Sequence, residues 1–170
     1  MKMRENAKFD LVTVSSMGVR ITPADRQPVH TSNLFEMQST SAETNVLNVS
    51  ASLGLNTLVM TRFVKDSAIA CFIKAELRKR NISYMGPEIP QGGPWGYRHQ
   101  FNIADSGFGM RGPIVLNDRA GEVGVTIQPS DFDLEQIFKK DGCRILHLSG
   151  LIGAMSESTT ATCQIGRAHV

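Results

Sequence analysis

The chain has 170 residues, 41% hydrophobic and 20% charged, and its 18 Lys+Arg against 16 Asp+Glu leave a net charge of +2. That length is one domain or one large piece of a bigger one, and the composition supports a buried core rather than disorder. The near balance of charge argues against a dedicated nucleic-acid binder, and no apolar run approaches the ~20 residues of a membrane span. The charged start, Met1 to Lys8, does not read as a signal peptide. Cys71, Cys143 and Cys163 are an odd, widely spaced set without a CxxC, which points to reduced thiols and a cytoplasmic location.

In chain order, Phe9–Val14 is β-branched and apolar and predicts a buried strand. Gly18–Thr22 alternates and stops at Pro23, which predicts a second, half-exposed strand; Ala24–Asn33, polar with Pro28, predicts a loop. Thr40-Ser-Ala-Glu43 has the S/T-x-x-E form of a capping box, followed by Val46, Leu47, Val49, Ala51 and Leu53 with Gly54 to end the helix. Thr57–Thr61 predicts a strand. From Ser67 to Arg80, Ile69, Phe72, Ile73 and Leu77 fall on one helical face, with Lys74, Glu76, Arg78 and Lys79 turned away. Ile82–Met85 predicts a short strand, and the Pro- and Gly-rich stretch Pro87–Trp95 a loop.

Tyr97–Ala104 and Ile114–Asn117 read as strands joined by a glycine-rich turn, with Val123–Ile127 another candidate strand. Ser130–Asp133 caps a short helix through Phe138, Arg144–Leu148 reads as a buried strand, and Ser156–Cys163 looks like the start of a helix. Strands alternating with helices at both ends argue for a parallel α/β sheet, and Tyr97–Ile127 breaks that rhythm as a β insertion.

Ile165–Val170 back-translates as ATC GGA AGA GCA CAC GTC, the start of a common short-read sequencing adapter. It is set aside from fold reasoning as an artefact, the alternative being a genuine short tail. The expectation is that the natural chain continues past Cys163 and is near neutral without Arg167.

Gly107-Phe-Gly-Met-Arg-Gly112 matches GxGxxG, but a dinucleotide fingerprint needs a strand before it and a helix after it. Pro113 and a strand follow here, so a hairpin loop is the better reading and an NAD-dependent oxidoreductase is disfavoured. There is no P-loop, no HExxH and no spaced Cys/His cluster, so nothing points to a metal. His147 sits in an apolar strand, as a hydrogen-bonded core histidine rather than a catalyst. Trp95 and Tyr97 either stack on a ligand or pin a loop. Alternation puts Arg98, Gln100 and Asn102 on one strand face, with Asn117, Asp118 and Arg119 at the end of the next β segment. If the strands pair, amides and guanidinium groups converge. Such a face either grips a hydroxylated, anionic ligand or is a solvated sheet surface.

The run from Ser41-Ala-Glu-Thr-Asn45 through Leu53-Gly54 to Arg62 resembles the first signature of the PfkB-family, ribokinase-like carbohydrate kinases. Ile69–Ile82 looks like the helix and turn that follow it, and Asn117-Asp-Arg-Ala-Gly121 and His147-Leu-Ser-Gly-Leu151 fit the 2-keto-3-deoxygluconate kinase branch, which the chain resembles most. The resemblance covers Phe9 to Cys163. It implies an α/β fold, a ribokinase-like three-layer sheet with a small β lid, truncated before the C-terminal half. Residues 1–164 would be the N-terminal part of one kinase domain, with lid strands within about 17–38 and 97–127.

The resemblance also implies a sugar or keto-sugar acid as substrate, 2-keto-3-deoxygluconate among them. Asn45, Ser41, Phe101, Asn117, Arg119 and Leu151 would be the binding residues, and Arg119 the partner of the substrate carboxylate. The catalytic Asp and the ATP and Mg sites of such kinases belong to the C-terminal part. No catalytic residue is therefore expected in this chain, neither cofactor is expected to bind it well, and it is expected to be inactive alone. No nucleic-acid or membrane partner is implied; a homodimer through the lid is. Two departures stand out: Thr40-Ser41 replaces the family's Gly-Gly, and Ser15-Ser16 stands where an acidic residue is usual. They leave a non-catalytic sugar-binding or regulatory relative as the alternative.

Overall fold

The computed structural model describes residues 4–168, the side chains of 167 and 168 excepted. Met1–Met3 of the charged start, and His169 and Val170 of the segment read as adapter, lie outside the described residues. The elements run β1 (Phe9–Val14), β2 (Gly18–Pro23), β3 (Phe35–Thr40), α1 (Ala42–Ser52), β4 (Thr57–Met60), β5 (Phe63–Val64), α2 (Ala68–Lys79), β6 (Ile82–Met85), β7 (Glu88–Ile89), β8 (Gln100–Asp105), β9 (Ile114–Asp118), β10 (Cys143–His147), α3 (Gly150–Ala154) and α4 (Glu157–Ala168).

A parallel sheet of order β10-β1-β4-β6 forms the centre. β1 and β4 are apolar on both faces because both are covered. Leu11 and Val59 pack against Leu47 and Ala51 of α1 and Ile73 and Leu77 of α2. Val12, Val14, Leu58 and Met60 pack against Ile127, Phe132, Ile137, Phe138 and, from α4, Cys163. The result is three layers.

The second sheet has order β3-β2-β8-β9, with β2 and β8 parallel and both outer pairs antiparallel. It is the β insertion read from the sequence, built from two separated stretches. The link from β1 to β2, Ser15-Ser16-Met17, is buried, so this lid leaves directly from the carboxyl end of the central sheet.

Several local expectations change. Ser41, not Thr40, caps α1: its hydroxyl accepts from Thr44 N at 3.0 Å. Glu43 is thereby one position short of the capping-box role, and its carboxylate turns inward. Only Leu47 and Ala51 of the α1 apolar run are buried, while Val46, Val49 and Leu53 stay exposed. β3 escaped the strand reading because its residues through Gln38 are exposed and mixed in polarity. The Pro87–Trp95 loop contains β7, which pairs with β5.

Val123–Thr126 is a 3-10 turn rather than a strand. Gly124 lies so close to Ser16 that a Cβ there would overlap the hydroxyl, and this approach leaves no room for a paired strand. The helix after Asp133 runs Glu135–Gly142 in wide π-type turns, with Asp133 accepting from Gln136 N at 2.9 Å. β10 is only half buried, because among the described residues it pairs with β1 alone; Ile145 is 49% exposed.

The GxGxxG run is the β8–β9 turn, with Gly107 and Gly109 at φ +70° and +59°. Asp105 accepts from Gly107 N at 2.9 Å and pairs with Arg111, whose guanidinium holds the carboxyl below its ordinary range. The buried histidine is His99, and His147 is half-buried on the edge strand. None of the three cysteines is bonded to another, and burial pushes the Cys143 and Cys163 thiols up to about 11. Among the described residues no helix is long and apolar enough to cross a membrane.

Candidate functional site

A cavity of about 220 Å³ opens where the lid overhangs the carboxyl ends of β1 and β10. Ligands of open α/β sheets bind at this end of the strands. Its walls come from five pieces of chain. Ser16 lies on the β1–β2 link. Arg20, Gln100 and Asn102 project from β2 and β8, Thr40 to Asn45 form the start of α1, Arg119 follows β9, and Leu151, Ile152 and Met155 come from α3 and its end.

The lid's polar face follows from register. Arg20 stands opposite Asn102, and Asn102 opposite Asn117. Arg20 Nε donates to Asn102 Oδ1 at 3.1 Å, and Asn102 Nδ2 donates to Asn117 Oδ1. The convergence of amide and guanidinium groups expected from strand pairing is therefore present, with Arg20 as an added member. Arg98, expected on the same face, is drawn outward by Asp118 and by the Ala120 carbonyl at 2.6 Å.

Two buried carboxylates stand at the cavity, Glu43 in its wall and Glu122 behind Ser16 and Arg119. Glu43 accepts from Ser15 Oγ at 2.7 Å and from Ser149 Oγ, which ties the ends of β1 and β10 to α1. Glu122 accepts from Ser16 Oγ and from Arg119 Nη1 at 2.9 and 3.0 Å. Ser15 and Ser16, which follow β1, are thus each bonded to a carboxylate delivered from elsewhere in the chain.

Of the residues singled out in the sequence, Ser41, Asn45, Arg119 and Leu151 line the cavity. Phe101 and Asn117 do not. Phe101 alternates with Gln100 and Asn102, so its ring faces the other way, into the apolar layer with Leu11, Val19 and Phe63. Asn117 is exposed on β9 and reaches the cavity only through Asn102. Ser41 adopts extended backbone (φ −161°), so the position does not demand glycine, and its hydroxyl is taken up as the helix cap. Ser16, Arg20, Glu43 and Glu122 were missed. Arg20 alone carried a signal, as a charged side chain between Val19 and Ile21 in an alternating strand.

Both carboxylates are already bonded, whereas Arg20 Nη1 and Nη2 have no protein partner among the described residues. Such a surface suits a ligand rich in oxygen and negatively charged. Among the described residues no three His, Cys, Asp or Glu side chains converge to hold a metal ion.

No family model and no curated sequence matches the chain. Solved structures do. 2-Dehydro-3-deoxygluconokinase from Thermotoga maritima superposes with a TM-score of 0.81 at 23% identity, over 93% of this chain and 46% of that one. A PfkB protein from Polaromonas gives 0.79 at 21%, over 94% and 51%. A sugar kinase from Pyrococcus horikoshii, solved with ATP, gives 0.71 at 14%, over 89% and 46%. The chain thus spans about half the length of the structures it matches. Over that span it has the ribokinase-like α/β fold of the PfkB carbohydrate kinases, lid included.

Proposed function

We propose that the chain is the N-terminal, sugar-binding part, over residues 1–164, of an ATP-dependent kinase for a sugar or keto-sugar acid such as 2-keto-3-deoxygluconate. The observation that carries this reading is the cavity itself. Asn45 at the first turn of α1 and the Gln100 and Asn102 amides meet hydroxyls, while Arg119 meets the acid group. Leu151 closes the floor under the carbon chain. Ser41 supports the wall as the α1 cap, with Phe101 behind the lid strand and Asn117 bracing Asn102.

ATP and Mg would be handled by the whole protein. Among the described residues the carboxylates at the cavity are engaged, Glu43 by two serines and Glu122 by Ser16 and Arg119. General-base activation of a sugar hydroxyl needs an acceptor within hydrogen-bond reach of it, and the serine and arginine donors compete with a sugar hydroxyl for these two carboxylates. The chain alone therefore binds sugar without phosphorylating it. A non-catalytic sugar-binding relative is the alternative, favoured by the same engaged carboxylates. The exposed apolar side chains of β9 (Ile114, Val115 and Leu116) support a homodimer through the lid, and the unpaired cysteines support a cytoplasmic location.

Calorimetric titration of the chain with 2-keto-3-deoxygluconate tests the reading, alongside an ATP-dependent phosphorylation assay with Mg. The expected result is saturable one-to-one binding and no product. A folded chain that binds neither this acid nor any aldohexose overturns the sugar-binding reading, and product formation overturns the inactivity of the chain alone.

A further inference from the structure

Arg20 occupies β2, an inner strand of the lid sheet, and lines the cavity. Its neighbours Val19 and Ile21 face the opposite side. Nε is spent on Asn102 Oδ1, and Asn102 is braced in turn by Asn117, so a side-chain chain crosses β2, β8 and β9 along one register line. This bracing fixes the plane of the guanidinium and leaves Nη1 and Nη2 as a free edge.

The charge balance separates the two cavity arginines. Arg119 is paired with the buried Glu122. Arg20 is the cavity's one guanidinium without a carboxylate partner among the described residues. A partly buried cation without a counter-charge is costly, and the missing partner is an anion. Beside it, Gln100 is 4% exposed and its Oε1 has no hydrogen-bond partner. The absence of a side chain at Gly18, directly opposite, lets Gln100 lie flat across β2; any Cβ there would overlap its Cγ. Gln100 lines the cavity, and its terminal amide torsion is soft.

We propose that Arg20 determines specificity at this site. Its Nη1–Nη2 edge takes the carboxylate of a polyhydroxy acid, and Gln100 accepts from the hydroxyl next to that carboxylate. This deepens the sugar-acid reading above and rests on it. Arg119, already neutralised by Glu122, then serves hydroxyl or keto oxygens as well as the acid. A lysine cannot take the place of Arg20, since a single ammonium does not bond Asn102 and present a planar two-donor edge together.

The test uses a matched pair of probes, gluconate and glucitol, which differ only at the carboxylate carbon, with 2-keto-3-deoxygluconate as a third ligand. Dissociation constants are measured by calorimetry on the full chain and on Arg20→Gln, which keeps a donor for Asn102 but removes the charge. Wild type should prefer the acids, and Arg20→Gln should lower the acid-to-neutral preference by about tenfold or more, as expected for loss of charged hydrogen bonds. Arg20→Lys should lose most of the preference as well, and it decides the matter if Arg20→Gln does not fold by circular dichroism. Asn117→Ala, which releases the brace, should lower the preference less. If wild type prefers the acids and folded Arg20 variants keep that preference, the assignment of Arg20 fails while the sugar-acid reading stands. If wild type binds acid and neutral probes alike, or neither, the sugar-acid reading and this proposal fail together.

Discussion

His99 is 2% exposed beneath the lid, with both ring nitrogens engaged. Nδ1 donates to the Met17 carbonyl at 2.9 Å, and Nε2 accepts from Val64 N–H at 3.3 Å. The ring is therefore the neutral Nδ1–H tautomer. Burial depresses its pKa below 6.5, the Met17 bond opposes that in part, and the Lys74 charge adds to it. The unfolded chain takes up a proton at about pH 6.5 and the folded chain resists it, so stability is complete above that value and declines as the pH falls below it. Protonation also breaks the bond from Val64. The urea midpoint should fall between about pH 7 and pH 5, and His99→Gln should flatten that part of the profile. A wild-type midpoint constant over this range would contradict the assignment.

At the scale of elements, one ion pair joins the layers. Arg62, just after β4, grips Asp131 in the turn Pro129–Asp131 through Nε at 2.6 Å and Nη2 at 2.5 Å. The side chains are 12% and 4% exposed, and Asp131 Oδ2 also accepts from Gln128 N at 3.0 Å. The pair pins the helical connection before β10 onto the central sheet. Replacing it with well-packed apolar groups is often harmless, but removing one partner strands the other. Asp131→Ala should therefore cost about 3–5 kcal/mol, read from denaturant unfolding, with Asp131→Asn losing less. An alanine variant within about 0.5 kcal/mol of wild type would mean that the pair is effectively solvated.

At the scale of the whole molecule, the central sheet ends in an open edge. Among the described residues β10 pairs only with β1, Ile145 is half exposed, and Val46, Val49 and Leu53 form an uncovered stripe on α1. Open edges and contiguous apolar surface promote association between chains. Ile145→Lys places a charge on that edge and should raise the concentration at which the chain stays monodisperse in light scattering. Unchanged association would locate the sticky surface elsewhere, with the exposed β9 face the next to test.

β1, β4, α2 and the alternation of strand and helix around them were legible in the residues alone, because a strand buried on both faces is a short continuous apolar run and a helix buried along one stripe has a local period. The context of Gly107–Gly112 sufficed to read a hairpin turn, and the presence of α1, though not its capping residue, was legible from the apolar run that ends at Gly54. The remaining features depend on contacts between distant parts of the chain and leave no local pattern. β3, β5 and β7 are strands because partners elsewhere in the chain accept them. Ser41 rather than Thr40 caps α1, and Glu43 in its first turn turns inward to Ser15 and Ser149, residues distant in the chain. Glu122 meets Ser16 across 106 residues, and Arg20 meets Asn102 across 82. Such pairings are set by strand order and register, and the chemistry of the cavity depends on them.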